Sequence, residues 1–151
     1  MRLIPGLTST ATAAAAVVFA LVPAAPASAA PVVQFSRAVY DSPGTDTRTN
    51  TSLNAEYLTL KNTGKATVNL NRWTVRDVAN HVYTFTGNVT VRPGATLWLH
   101  TGRGTNTATH RYWNSGNYIW NNTGDTAYLR DPAGNQIDTC GWKKGTGSVA
   151  C

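Results

Sequence analysis

The sequence predicts an all-β fold, a β-sandwich, on three observations. Short runs rich in Val, Leu, Thr and aromatic residues alternate with turn-forming clusters at a spacing of ~8–12 residues. No stretch carries a helical apolar period of useful length. Beyond residue 29, Thr, Asn and Gly supply 45 of the remaining 122 residues. Thr favours strands, and Asn and Gly favour turns.

Residues 1–29 have the pattern of a secretory signal peptide. Arg2 gives a thin positive start, an Ala-, Val-, Phe- and Leu-rich run extends from about Ala11 to Val22, and Ala27-Ser28-Ala29 supplies small residues for cleavage. One domain is then expected over residues 30–151. Removing the leader lowers the net charge from +6 to +5. No other stretch is long or apolar enough to span a bilayer, so the expectation is a secreted, extracellular monomer. Export exposes the two cysteines, Cys140 and Cys151, to an oxidising compartment, where they are expected to form a disulfide. Closing that loop is worth ~3 kcal/mol in the chain-entropy model.

The elements follow in order. Val32–Tyr40 reads as a first strand, closed by the turn Asp41-Ser42-Pro43-Gly44-Thr45-Asp46 and a polar loop to about Asn54. In Glu56–Lys61, Leu58 and Leu60 share one face, and Asn62-Thr63-Gly64 turns. Val68 and Leu70 start a strand that Trp73 and Val75 continue out of phase, which indicates a bulge or a change of sheet near Asn71. His81–Phe85 follows, then the Arg92-Pro93-Gly94 turn and the strand Ala95–His100. Residues 101–110 read as a mobile loop, with Gly102-Arg103-Gly104 supplying its flexibility. Tyr118-Ile119-Trp120 is short and apolar. Thr126–Arg130 and Gln136–Trp142 are the last two strands, joined by an Asp-Pro-Ala-Gly-Asn turn.

Six of these signals fall in the order of a known family. They are Glu56–Gly64, Val68–Asp77, Tyr83-Thr84-Phe85, Pro93-Gly94, Leu97-Trp98-Leu99, and Asn121–Asp131 followed by Gly134. Together they resemble the lamin-tail domain of secreted bacterial proteins, over about residues 31–142. The resemblance implies an immunoglobulin-like β-sandwich and no single activity, since such domains occur both alone and attached to hydrolases. Arg72 stands where the family commonly has Gly, a departure in a turn. Leu58, Leu60, Trp73, Val75, Phe85, Leu97, Leu99 and Leu129 are the expected inward residues.

Catalytic patterns are missing from the sequence. Glu56 is the only Glu, which excludes glycoside hydrolysis by a Glu pair. His81, His100 and His110 have no zinc-ligand spacing, and neither a nucleophile elbow nor a phosphate-binding loop is present. The reading is therefore not an enzyme and requires no cofactor. Asp41 and Asp46 flank Pro43-Gly44 and offer oxygens for weak calcium binding, but two carboxylates are few for such a loop, and satisfying local backbone donors is the stronger expectation.

The remaining surface signal is aromatic and basic. His110-Arg111-Tyr112-Trp113 could stack on sugars or bases; Trp98 and His100 lie on the face opposite Leu97 and Leu99, and Trp98 joins the patch if that face is the outward one. The stronger expectation is that Tyr118-Ile119-Trp120 forms a core strand and Trp113 covers one end of the sandwich. The candidate binding residues are Arg111, Tyr112, Trp113, Trp98 and Arg103. The leading role is a binding module for cell-envelope glycan or other extracellular polymer. The alternatives are a nucleic-acid-binding module and an inhibitor or accessory partner of another secreted protein. Basic residues are scattered and form no run, which weighs against a dedicated nucleic-acid groove.

Overall fold

A computed structural model describes residues 32–151; the signal-peptide segment lies outside the described residues. The elements are β1 (Val33–Val39), α1 (Asn50–Ala55), β2 (Tyr57–Asn62), β3 (Val68–Asn69), β4 (Thr74–Arg76), β5 (Val82–Thr84), β6 (Thr90–Val91), β7 (Thr96–His100), β8 (His110–Tyr112), β9 (Gly124–Arg130), β10 (Gln136–Lys143) and β11 (Ser148–Ala150). One sheet has the order β11-β1-β2-β7-β8 and the facing sheet β10-β9-β4-β5, with β3 and β6 forming a separate pair. All pairings are antiparallel except β7 with β8. This is the immunoglobulin-like sandwich that the sequence predicts.

Its core follows from strand alternation. Phe35, Leu58, Leu60, Val75, Phe85, Leu97, Leu99 and Leu129 are all buried between the sheets. Trp73, also expected inside, is half-buried and packs against that core. The phase shift near Asn71 is a change of sheet: β3 pairs with β6, whereas β4 joins the four-stranded sheet. The chain makes the switch with Arg72 in the left-handed region at φ 68°, its N–H donating to the Phe85 carbonyl at 2.7 Å. A β-carbon costs free energy in that conformation, so Arg72→Gly is expected to stabilise the fold by roughly 0.5–1 kcal/mol. Urea denaturation of the two proteins checks this; a less stable glycine variant would mean that the exposed Arg72 side chain outweighs the backbone strain.

Four segments depart from the sequence reading. The polar loop before β2 contains α1, capped by Thr49 Oγ1, which accepts from the Ser52 N–H at 3.3 Å. Six residues are too few for an apolar period to show; only Leu53 is buried. Residues 101–109 are not a free loop, because the Asn50 and Asn54 side chains bind Arg103 and the chain returns as β8. Ile119 and Trp120 are buried without forming a strand. The tail forms β11, which pairs with β1.

The Cys140–Cys151 disulfide forms as expected, with its Cα atoms 5.4 Å apart. Cys140 lies on β10 of one sheet, and Cys151 follows β11 of the other, so the bond clasps the two layers. Two further contacts cross the same side. Tyr40 stacks on Trp142 at 5.0 Å, and a bulge in β1 frees the Phe35 N–H to donate to Asp138 Oδ2 on β10 at 2.7 Å.

Candidate functional site

Strand β7 divides its side chains by alternation. Leu97 and Leu99 enter the core, so Trp98 and His100 stand on the outer face of the five-stranded sheet. Strand β8 lies beside it in register, with His110 opposite Trp98 and Tyr112 opposite His100. The four rings form one stack. Trp98 and His110 are 5.2 Å apart at 20°, His110 and His100 5.2 Å at 16°, and His100 and Tyr112 5.1 Å at 20°. Tyr57 on β2, opposite His100, leans against it at 5.6 Å and 54°. All five rings are half-buried. Thr59 pairs with Trp98 on one side and with Arg37 on the other, which carries the row to an exposed guanidinium; Lys61, also exposed, lies farther along β2.

Hydrogen bonds fix the centre of the stack. His100 Nδ1 lies 2.8 Å from the Asn54 carbonyl, which can only accept, so this nitrogen carries a proton. His100 Nε2 then faces His110 Nδ1 at 2.9 Å, and a single proton fills that gap. Burial lowers the His100 pKa; the Asn54 bond opposes the shift and the His110 charge adds to it. The rings are therefore held on rigid strands and positioned before any ligand arrives.

The structure separates the residues singled out from sequence. Trp98 and Tyr112 belong to the stack, together with His110, which stood in the sequence cluster without being a candidate binding residue, and with His100 and Tyr57, which stood in neither. Alternation along β8 turns Arg111 away from it, and Trp113, the next residue after β8, turns away as well. Arg111 lies opposite Leu99, and its Nη1 donates to the Thr107 carbonyl at 2.5 Å. Burial raises the Tyr83 pKa, and the Arg111 charge opposes that rise. The Trp113 ring meets Trp120 at 5.8 Å edge-on and Tyr83 at 5.6 Å, so it closes one end of the core. Arg103 lies outside the stack, on the segment that leads to β8. Asp46 accepts from Ser42 Oγ at 3.3 Å, a local turn contact, while the Asp41 N–H donates to the Gly147 carbonyl. Among the described residues, no group of three or more His, Cys, Asp or Glu is placed to hold a metal ion.

Sequence reasoning also missed a role for Glu56. This side chain, on the residue between α1 and β2, is fully buried. Its Oε1 accepts from Thr101 Oγ1 at 2.6 Å and from the N–H groups of Ile119 and Trp120 at 2.9 and 3.3 Å. Its Oε2 has no hydrogen-bond partner. Burial pushes its pKa up to about 7, the hydrogen bonds to Thr101, Ile119 and Trp120 oppose that, and the Asp46 charge adds to it. Glu56 thus holds the irregular 118–120 segment against β2 and the end of β7. The available signal was a lone Glu heading an apolar strand.

The family model for the Lamin Tail Domain matches residues 26–144. The chain belongs to the lamin tail domain family. The match runs from before β1 to Lys144, just past the end of β10, so it covers nearly all of the sandwich. No curated protein matches the chain. Lamin tail domains are immunoglobulin-like binding domains, and the outer face of β2, β7 and β8 is where this one presents a built arrangement of side chains. No helix among the described residues is long and apolar enough to cross a membrane.

Proposed function

We propose that this lamin tail domain is an exported, monomeric, non-enzymatic module that binds glycan at the cell envelope through the outer face of its five-stranded sheet. One observation carries the reading: the four-ring stack Trp98–His110–His100–Tyr112, with Tyr57 beside it. Aromatic rings fixed on adjacent strands offer amphipathic area at little ordering cost, which suits the mixed apolar and hydroxyl surface of a sugar chain. Trp98 ends the ring stack and, of its members, offers the largest aromatic surface. Arg37 and Lys61 border the face and supply donors for hydroxyl or acidic groups.

The net charge of +5 beyond the leader favours a second reading, nucleic-acid binding. The two differ in salt dependence. Lys and Arg contacts to a polyanion release condensed counterions, so affinity falls steeply as salt rises, whereas ring contacts to a glycan respond little. Purified protein is expected to bind cell-wall polymer with nearly the same affinity at low and physiological salt. Tight DNA binding at physiological salt without wall-polymer binding would replace the glycan reading with the second.

A further inference from the structure

Gly102-Arg103-Gly104 has a tighter job than loop flexibility. A β-carbon on Gly102 would come within 2.6 Å of Asn54 Oδ1 and 2.7 Å of Asn50 Oδ1, and one on Gly104 within 2.4 Å of the Tyr112 ring. Both glycines are therefore sites of close approach, one beneath the two asparagines and one on the end of the aromatic stack. Arg103 between them is clamped by its backbone. Its N–H donates to Asn50 Oδ1 at 2.7 Å, and its carbonyl accepts from Asn50 Nδ2 and Asn54 Nδ2 at 2.9 Å each. Three hydrogen bonds fix this peptide while the guanidinium has no hydrogen-bond or ion-pair partner among the described residues.

The Arg103 side chain runs past Gly116, with Nη2 about 4.0 Å from where a β-carbon would stand. There it borders a cavity of about 210 Å³ whose other lining residues are Arg48, Asn50, Leu53, Ser115 and Gly116. Arg48 is held in the left-handed region at φ 55°, and its guanidinium is likewise without a partner among the described residues. No carboxylate lines the cavity. Two unpaired guanidinium residues on one polar cavity call for an anion with several oxygens. A phosphate monoester carries about −1.5 to −2 charge at neutral pH and accepts forked hydrogen bonds from Arg, whereas a carboxylate would leave half the positive charge unmatched. The volume lies below the roughly 300–1,000 Å³ of a site for a whole small molecule, so it suits one charged group with the rest of the ligand outside.

We propose that the Arg48–Arg103 cavity is a phosphate site, and that Asn50 and Asn54 position Arg103 for it. The site stands independently of the glycan reading. Titrating the purified protein with inorganic phosphate and, separately, with glycerol 1-phosphate, followed by amide chemical shifts, tests it. Saturable shifts are expected at residues 48, 103, 115 and 116. Arg48→Gln and Arg103→Gln should each weaken binding by about tenfold or more, the scale of a lost charge-assisted contact. Arg37→Gln and Trp98→Ala should leave it unchanged. Tighter binding of glycerol 1-phosphate marks an esterified phosphate as the ligand, and tighter binding of inorganic phosphate marks the free ion. Non-saturating shifts, or equal weakening by Arg37→Gln, would show general charge screening and overturn the site.

Discussion

Raising the pH from 4.5 through 7 should cost this lamin tail domain roughly 3 kcal/mol of stability through Glu56 alone. The sign follows from the direction of the shift. Burial raises the Glu56 pKa from 4.5 in the unfolded reference to about 7 in the folded chain. Between those values the folded state holds more protons than the unfolded state, so unfolding becomes easier as pH rises. The contribution is complete below 4.5 and is lost as pH passes through about 7. His100 acts in the opposite sense: its pKa is lowered on folding, so its contribution is present above its ordinary value of 6.5 and lost as pH falls. Glu56→Gln keeps an acceptor for Thr101, Ile119 and Trp120 and removes the titration. Denaturant midpoints measured from pH 4.5 to 8 should fall with pH in the parent and lose that downward slope in the variant. Identical slopes in the two proteins would mean that Glu56 is not the titrating group.

Replacing Cys140 and Cys151 by serine should lower stability by ~3 kcal/mol, the chain-entropy value for a loop of this size. Against the 5–15 kcal/mol typical of a domain, that is a large share. The clasp joins the two sheets at their β10 and β11 margins, so its loss should also free β11. Hydrogen exchange at residues 148–150 should then accelerate more than exchange at the centre of β2. Intact mass of the purified protein after alkylation without reductant should show no free thiol. Two alkylated cysteines, or unchanged stability in the double serine variant, would contradict the clasp.

The fold was legible because its signals are local. Alternation placed Leu58, Leu60, Leu97 and Leu99, and Pro93-Gly94 and Asn62-Thr63-Gly64 marked turns whose chemistry needs no distant partner. The change of sheet at Asn71 was visible as a phase shift for the same reason. The site was less legible because it depends on which strand lies beside which. Trp98 was placed on the outer face by alternation, but His110 and Tyr112 join it only through the parallel pairing of β8 with β7, after a connection that reads as loop. Trp113, the residue after β8, turns inward to Trp120 and Tyr83 and takes the role of end cover that its sequence position had also suggested. Glu56 was missed because its partners, Thr101, Ile119 and Trp120, are more than forty residues away in the chain. Gly102 and Gly104 resemble flexible glycines in sequence; the contacts that require them belong to Asn50, Asn54 and Tyr112.

The contrast between Trp98 and Trp113 tests the outer-face account most directly. Affinity for cell-wall glycan should be measured by calorimetry on Trp98→Ala and Trp113→Ala under conditions where both variants are folded. Trp98→Ala should keep near-parent stability and lose roughly 1–3 kcal/mol of binding, the scale of a removed ring-stacking contact. Trp113→Ala, which opens one end of the core beside Trp120 and Tyr83, should lose stability and keep its affinity. Unchanged glycan affinity in Trp98→Ala, or a loss confined to Trp113→Ala, would contradict the assignment of binding to the outer aromatic face.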